Sequence, residues 1–203
     1  MRACRGVTCG RTRGERGAVL VEAAICVPLV ILLVFGVVEM GWLYFNHGTA
    51  QNMSVVGARS GSGQGNEAPA DYEILRAVTG GSSGMSAASI QAVVVYRATG
   101  PDDRVPETCK TQSVDDLCNF YTGADLSLDE DQFGCVGPPG PATKKDNFWC
   151  PTTRKTALTG SNGPPDYLGV YVRTTGDSIL GVLGESLTLT ADTVTRIEPR
   201  TQT

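Results

Sequence analysis

Apolar residues dominate one long stretch near the start of the chain and are more sparsely patterned after it. Residues 18–38 contain a single charge, Glu22. As an α-helix this run of 21 residues spans about 31 Å, which is close to the thickness of the hydrocarbon core of a bilayer. The run therefore predicts a membrane-spanning helix. Pro28 is expected to bend it, because proline removes one backbone hydrogen bond.

The helical pattern continues beyond the predicted span. Residues 46–59 contain no proline and carry a weak apolar stripe at spacings of three and four. A single helix over residues 18–59 is predicted, about 63 Å long. The serine- and glycine-rich residues 60–65 are expected to end it with a flexible break. Three aromatic residues lie where the outer membrane interface is expected, as in an aromatic belt: Trp42, Tyr44 and Phe45.

The remaining residues, 60–203, predict a small domain. Residues 71–79 have the pattern of a short helix, and residues 90–97, 167–174 and 186–197 have the patterns of strands. Residues 100–165 are rich in proline and cysteine, and so long a loop requires cross-links. The predicted fold class is α+β: a long N-terminal transmembrane helix followed by a small disulfide-stapled extracytoplasmic domain with a three- or four-stranded antiparallel sheet.

The charge distribution separates a basic leader from an acidic body. Residues 1–17 contain five arginines and one glutamate; without them, the 17 basic and 21 acidic residues of the chain fall to 12 and 20. An acidic body argues against nucleic acid as a partner, because phosphate binding requires a basic surface. The positive-inside rule predicts a single-pass membrane protein with the leader in the cytoplasm and the domain outside.

The placement of the cysteines fits this topology. Four of the seven fall in the predicted exterior, where an even number in an oxidising compartment predicts two disulfides. Three pairings are possible, and proximity along the chain favours Cys109–Cys118 with Cys135–Cys150. A zinc site is the weaker interpretation, because the spacings contain no C-x-x-C pair and no histidine lies nearby. Cys4 and Cys9 lie in the leader, and Cys26 lies in the apolar run.

Two carboxylates in or beside the apolar run invite a functional explanation. If the chain is cut after Gly17, the new amino group of Ala18 lies about one helical turn from Glu22. In an assembly, the carboxylate of one subunit can pair with the amine of its neighbour and set the axial register. The alternative is a chance carboxylate that is protonated or reaches the membrane surface. Glu39 is interpreted either as an interfacial residue or as a contact to a partner subunit.

Catalytic and metal-binding signals are weak in this sequence. His47 is the only histidine, so a nucleophilic triad would depend on it, and a surface histidine is the better interpretation. An acidic cluster at residues 125–131 misses the EF-hand spacing, which favours a solvated loop over a calcium site. No nucleotide-binding G-x-x-x-x-G-K-[ST] motif is present. We therefore expect no enzyme activity, no metal and no cofactor.

Several motifs together resemble one family. Residues 17–24 (Gly-Ala-Val-Leu-Val-Glu-Ala-Ala), Pro28, residues 35–41 (Phe-Gly-Val-Val-Glu-Met-Gly), residues 57–59 (Gly-Ala-Arg) and the closing residues 190–199 resemble TadE/TadF-like minor pilins (pseudopilins) of the tight-adherence (Flp, type IVc) pilus system. Residue 23 is alanine, where many members carry an aromatic residue. The cysteine-rich middle matches no motif of the family.

This resemblance implies a structural role in the bacterial cytoplasmic membrane, with incorporation into an extracellular pilus as a further possibility. It implies cleavage after Gly17 by a prepilin peptidase, with Gly17, Ala18 and Glu22 as processing residues. Glu22, Pro28 and Glu39 are the expected assembly contacts. The implied partners are the peptidase, other Tad pilins, pilus-assembly membrane proteins and membrane lipid.

Two alternatives keep the membrane segment but change the function. One is a signal-anchored extracytoplasmic binding module or enzyme, which would need a concentrated site in residues 66–203. The other is a secreted domain released by signal peptidase after the small-residue triplet at residues 48–50 (Gly-Thr-Ala). The length of the apolar run and the bulky aromatic residues after it argue against release.

Overall fold

The computed structural model describes residues 15–82, 84–135, 144–157, 164–178 and 186–199. Most of the leader predicted at residues 1–17, including Cys4 and Cys9, lies outside the described residues. The described structure contains short 3-10 helices between its main elements. Those main elements are α1 (Glu15–Gln64), α2 (Ala70–Gly80), β1 (Ile90–Ala98), β2 (Cys118–Thr122), β3 (Tyr167–Asp177) and β4 (Ser186–Arg196).

The first helix, α1, is one continuous element of 50 residues, about 75 Å long. It passes through Pro28 and ends at Gln64, so the flexible break predicted at residues 60–65 is wrong. Glycine and serine are weak helix formers in isolation, but here their small size allows close packing. A Cβ on Gly61 would lie only 2.6 Å from the Cδ1 atom of Ile74. Gly65, with φ of +62°, follows the last helical residue in a conformation that glycine favours.

The four strands form one antiparallel sheet in the order β2-β1-β3-β4. The predicted α+β fold is therefore confirmed, with four strands in the described residues. Strands β1, β3 and β4 and helix α2 confirm the predicted elements to within a few residues. Strand β2 lies inside residues 100–165, which the sequence predicts as loop throughout, and in this part the prediction is wrong. It is only five residues long and takes its place by pairing with β1.

Both faces of the sheet are covered. The second half of α1 and the apolar side of α2 pack on one face, where Met53 and Ile74 contact a buried cluster with Val93 and Val170. On the opposite face, Val94, Tyr96 and Tyr171 pack against Val105 and the Cys109–Cys118 disulfide. Residues 46–64, the upper half of α1, are therefore part of the domain core.

Two disulfides cross-link the cysteine-rich segment, and they confirm the favoured pairing. Cys109 bonds to Cys118 and Cys135 to Cys150, with Cα–Cα separations of 6.1 and 5.6 Å. Each closes a short loop, so the segment needs little additional secondary structure to hold its shape.

A buried ionic network attaches the same segment to the helices. The guanidinium group of Arg154 pairs with the Asp71 carboxylate of α2, and both side chains are fully buried. Tyr121 and Asn119 donate hydrogen bonds to the second Asp71 oxygen at 2.7 and 2.8 Å. Burial, with a further contribution from the Asp71 charge, raises the pKa of Tyr121 well above its usual 10. Arg154 also lies over the Trp149 ring, with its Cζ atom 4.2 Å from the ring centroid.

Candidate assembly interface

The lower half of α1, residues 15–45, exposes a long apolar surface. Large apolar side chains from Val19 to Phe45 are exposed, including Leu20 at 71% and Leu33 at 70%. Of the helices that the structure describes, only α1 is long and apolar enough to cross a membrane. No residue in its most apolar stretch is buried. An apolar surface of this length requires either lipid or other subunits to cover it.

The predicted processing residues lie in the first two turns of this helix. Gly17 and Ala18 are the third and fourth helical residues, and both are exposed. The first four N–H groups of a helix have no partner within it, so this end opens more easily than the middle. Glu22 is exposed one turn further on, four residues after Ala18. Residues four apart lie on the same side of a helix, so one face carries both groups.

A shallow apolar groove runs along the middle of the exposed half. Gly36 leaves a gap in the groove because it has no side chain. The space beside it is open, since a Cβ there would meet no atom within 4 Å. Pro28 lies two turns earlier in the helix. A small residue such as Gly36 allows close approach of a second helix within a membrane. The groove is lined by Leu29, Leu32, Leu33, Gly36, Val37 and Met40.

Glu39 differs from Glu22 because its own chain covers it. Only 3% of its surface is exposed, and the Ser178 hydroxyl donates a hydrogen bond to its Oε1 atom. Trp42, Leu43 and Leu187 complete the walls around it. Sequence reasoning did not find this contact, because 139 residues separate the two partners. The interpretation of Glu39 as a contact between subunits stays a prediction.

The upper half of α1 is fixed to the sheet by small polar side chains that sequence reasoning missed. The Ser54 hydroxyl donates to the Val170 carbonyl at 2.8 Å, and the Ser62 hydroxyl donates to the Arg196 carbonyl at 2.7 Å. A Cβ on Gly57 would lie 2.6 Å from the Cγ2 atom of Val78. The recurrence of glycine and serine at spacings of three and four along α1 was the sequence signal for this packed face, because small residues can mark a packed face as well as a flexible one.

The other candidate residues have ordinary surroundings. The imidazole of His47 lies 3.1 Å from the Gln51 amide on the same helix. Burial raises the pKa of Asp125, but hydrogen bonds from Lys145 and Thr122 outweigh it, so the pKa lies below its usual 3.8. Among the described residues, no group of three histidine, cysteine or acidic side chains is arranged to hold a metal.

The fold and the exposed helix together define a class: over the described residues, one candidate membrane span is joined to a small disulfide-bonded α+β domain. The model of the TadE-like protein family matches residues 17–59. This match confirms, over those residues, the resemblance seen in the sequence. It covers 43 of 203 residues, all of them in α1. No curated protein and no solved structure matches the chain.

Proposed function

We propose that this protein is a minor pilin or pseudopilin subunit that takes part in assembly of a Tad-type (type IVc) pilus or a related secretion fibre. The observation that carries the proposal is the division of α1 into two halves. The upper half is buried in its own domain, whereas the lower half exposes its apolar surface. The family match begins at Gly17 and ends at Arg59, so it spans both halves.

Processing is the first step of the proposal. A prepilin peptidase hydrolyses the Gly17–Ala18 bond, so that Gly17 leaves as the carboxyl terminus of the leader and Ala18 gains a free amino group. Support comes from the position of this bond in the first turn of α1, where backbone N–H groups lack helical partners. The arginine-rich leader keeps the bond on the cytoplasmic side of the membrane.

Charge pairing is the second step. The new ammonium group would lie in an apolar environment, as would Glu22, and each charge alone is costly there. Pairing the Glu22 carboxylate of one subunit with the Ala18 amine of its neighbour satisfies both charges and sets the axial register. Exposure of Glu22 and of the surrounding apolar side chains leaves room for this neighbour. Pro28 and the groove at Gly36 supply further contact surface for other Tad pilins or assembly proteins.

Release as a secreted domain receives less support. Cleavage after Ala50 would cut α1 inside the half that packs on the sheet, where Thr49 and Ala50 are buried. The signal-anchored binding module remains the alternative. It would keep the same membrane helix but would have no need of Glu22.

The test replaces Glu22 with alanine in the full chain and measures two properties. We expect Glu22→Ala to leave the membrane-bound amount unchanged while its incorporation into sheared fibres or cross-linked subunit complexes falls. Glu130→Ala is the matched control, because it removes an exposed carboxylate from the domain and should change neither property. Normal incorporation of Glu22→Ala would contradict the proposed pairing.

A further inference from the structure

The β3–β4 hairpin runs alongside α1 towards its apolar half. The strands pair from Tyr167 with Arg196 to Asp177 with Ser186, at the far end of the hairpin. At one end, the Arg196 carbonyl accepts a hydrogen bond from Ser62; at the other, Ser178 contacts Glu39. The helix rises about 35 Å between these two contacts, and the eleven residues of β4 extend about 34 Å. The hairpin therefore spans the same length as this part of the helix.

The far end of the hairpin passes the aromatic residues that mark the predicted membrane interface. Glu39 precedes Trp42 by three residues and Phe45 by six, so it lies about 4.5 and 9 Å closer to the apolar end of the helix. Trp42 and Phe45 are 38% and 50% exposed, as expected for an interfacial belt. Because Ser178 and Leu187 lie beside both Glu39 and Trp42, this end of the hairpin lies level with that belt.

The described residues at this end combine polar and apolar side chains, as suits the boundary between headgroups and acyl chains. Leu187 lies beside Trp42 and Leu43, and the Ser178 hydroxyl satisfies the Glu39 carboxylate, which lowers the cost of a carboxylate at this depth.

We infer that the end of the β3–β4 hairpin, defined by Gly176, Ser178 and Leu187, contacts the headgroup–acyl boundary of the membrane in which α1 is inserted. The protein then touches lipid at two places, along its helix and at this end of its sheet. Two contacts fix the height and tilt of the domain on the membrane, whereas a single helix leaves its tilt free. The inference rests on the proposed membrane insertion of α1.

Site-directed fluorescence tests this contact in vesicles. The full chain carries Cys4→Ser, Cys9→Ser and Cys26→Ser together with one new cysteine, Ser186→Cys or Thr190→Cys, and is labelled with an environment-sensitive fluorophore. Both positions are exposed on β4, and Thr190 is four residues, about 14 Å, farther from the hairpin end. The vesicles contain phosphatidylcholine with a bromine or nitroxide quencher near the headgroup. A third protein keeps Cys26, which is exposed on the apolar half of α1, as its labelling site. For the protein labelled at Cys26, which lies about 20 Å along the helix from Glu39, the quencher is placed near the end of the acyl chain instead.

We expect the lipid quencher to reduce the fluorescence of the Ser186→Cys label and to leave that of the Thr190→Cys label nearly unchanged. Equal quenching at both positions, or none at Ser186→Cys, overturns the inference. Quenching at Cys26 without quenching at Ser186→Cys leaves membrane insertion intact and removes only the hairpin contact. No quenching at Cys26 contradicts insertion itself. A spectral shift at Ser186→Cys that grows with the protein-to-lipid ratio, without lipid quenching, indicates a second copy of the chain and also overturns the inference.

Discussion

Replacing Gly57 by alanine tests whether the upper half of α1 is a packed element of the domain. The new Cβ would lie 2.6 Å from Val78 Cγ2 and 3.2 Å from Val170 Cγ1. Valine has little freedom at χ1, so neither neighbour can turn away at low cost. Overpacking of this kind typically costs about 1–3 kcal/mol.

Gly48 provides the matched control. It lies in the same helix and is exposed, and a Cβ at this position would meet no atom within 4 Å. Alanine in place of glycine favours a helix by up to about 1 kcal/mol, and this gain enters both variants. The difference between Gly57→Ala and Gly48→Ala therefore isolates the steric cost at Gly57.

Thermal unfolding of the full chain in detergent micelles, followed by near-ultraviolet circular dichroism, measures this difference. One kcal/mol shifts Tm by about 2–4 °C in a chain of this size. We expect Gly57→Ala to melt about 2–12 °C below Gly48→Ala, from the same overpacking cost. Equal Tm values for the two variants would refute the packing of α1 on the sheet and would favour a flexible upper helix.

The remaining predictions concern buried charge in the domain. Asp71→Ala leaves the Arg154 charge buried without its partner, so the free energy of unfolding from chemical denaturation should fall by about 3–5 kcal/mol. Lys145→Ala, which breaks the Lys145–Asp125 pair at a half-exposed lysine, should cost no more than about 1 kcal/mol; equal losses would contradict the ranking. Burial raises the pKa of Asp192 above its usual 3.8, so the folded state favours the protonated side chain. This contribution to the free energy of unfolding is complete below pH 3.8 and is lost as pH rises through the raised pKa. Unfolding measured across this range should show that pH dependence in the native chain, and an unchanged profile in Asp192→Asn would contradict it.

Periodicity was sufficient to predict the elements that have strong local patterns. The apolar run, the short helix and the valine-rich strand at β1 each carry enough apolar residues to specify their type. The two wrong predictions, the helix break at residues 60–65 and the loop at the position of β2, share a different cause. Gly61 and Ser62 are helical because Ile74 and Arg196 lie against them, and β2 is a strand because β1 pairs with it. Such contacts join residues far apart in sequence, so local propensity does not contain them.

The candidate interface divides in the same way. Glu22 could be identified from sequence because a lone charge in an apolar run is conspicuous. The surroundings of Glu39 could not, because Ser178 and Leu187 reach it only after the sheet has formed.

The N-terminal residue of the protein isolated from membranes or fibres tests the central claim most directly. Edman sequencing or intact-mass measurement of the mature chain should give Ala18 as the first residue, and loss of the peptidase should restore the intact leader. A chain that begins at Gln51 would indicate release by signal peptidase, and one that retains Met1 would indicate an ordinary signal anchor. Either result would contradict the assignment of this protein as a processed pilin subunit.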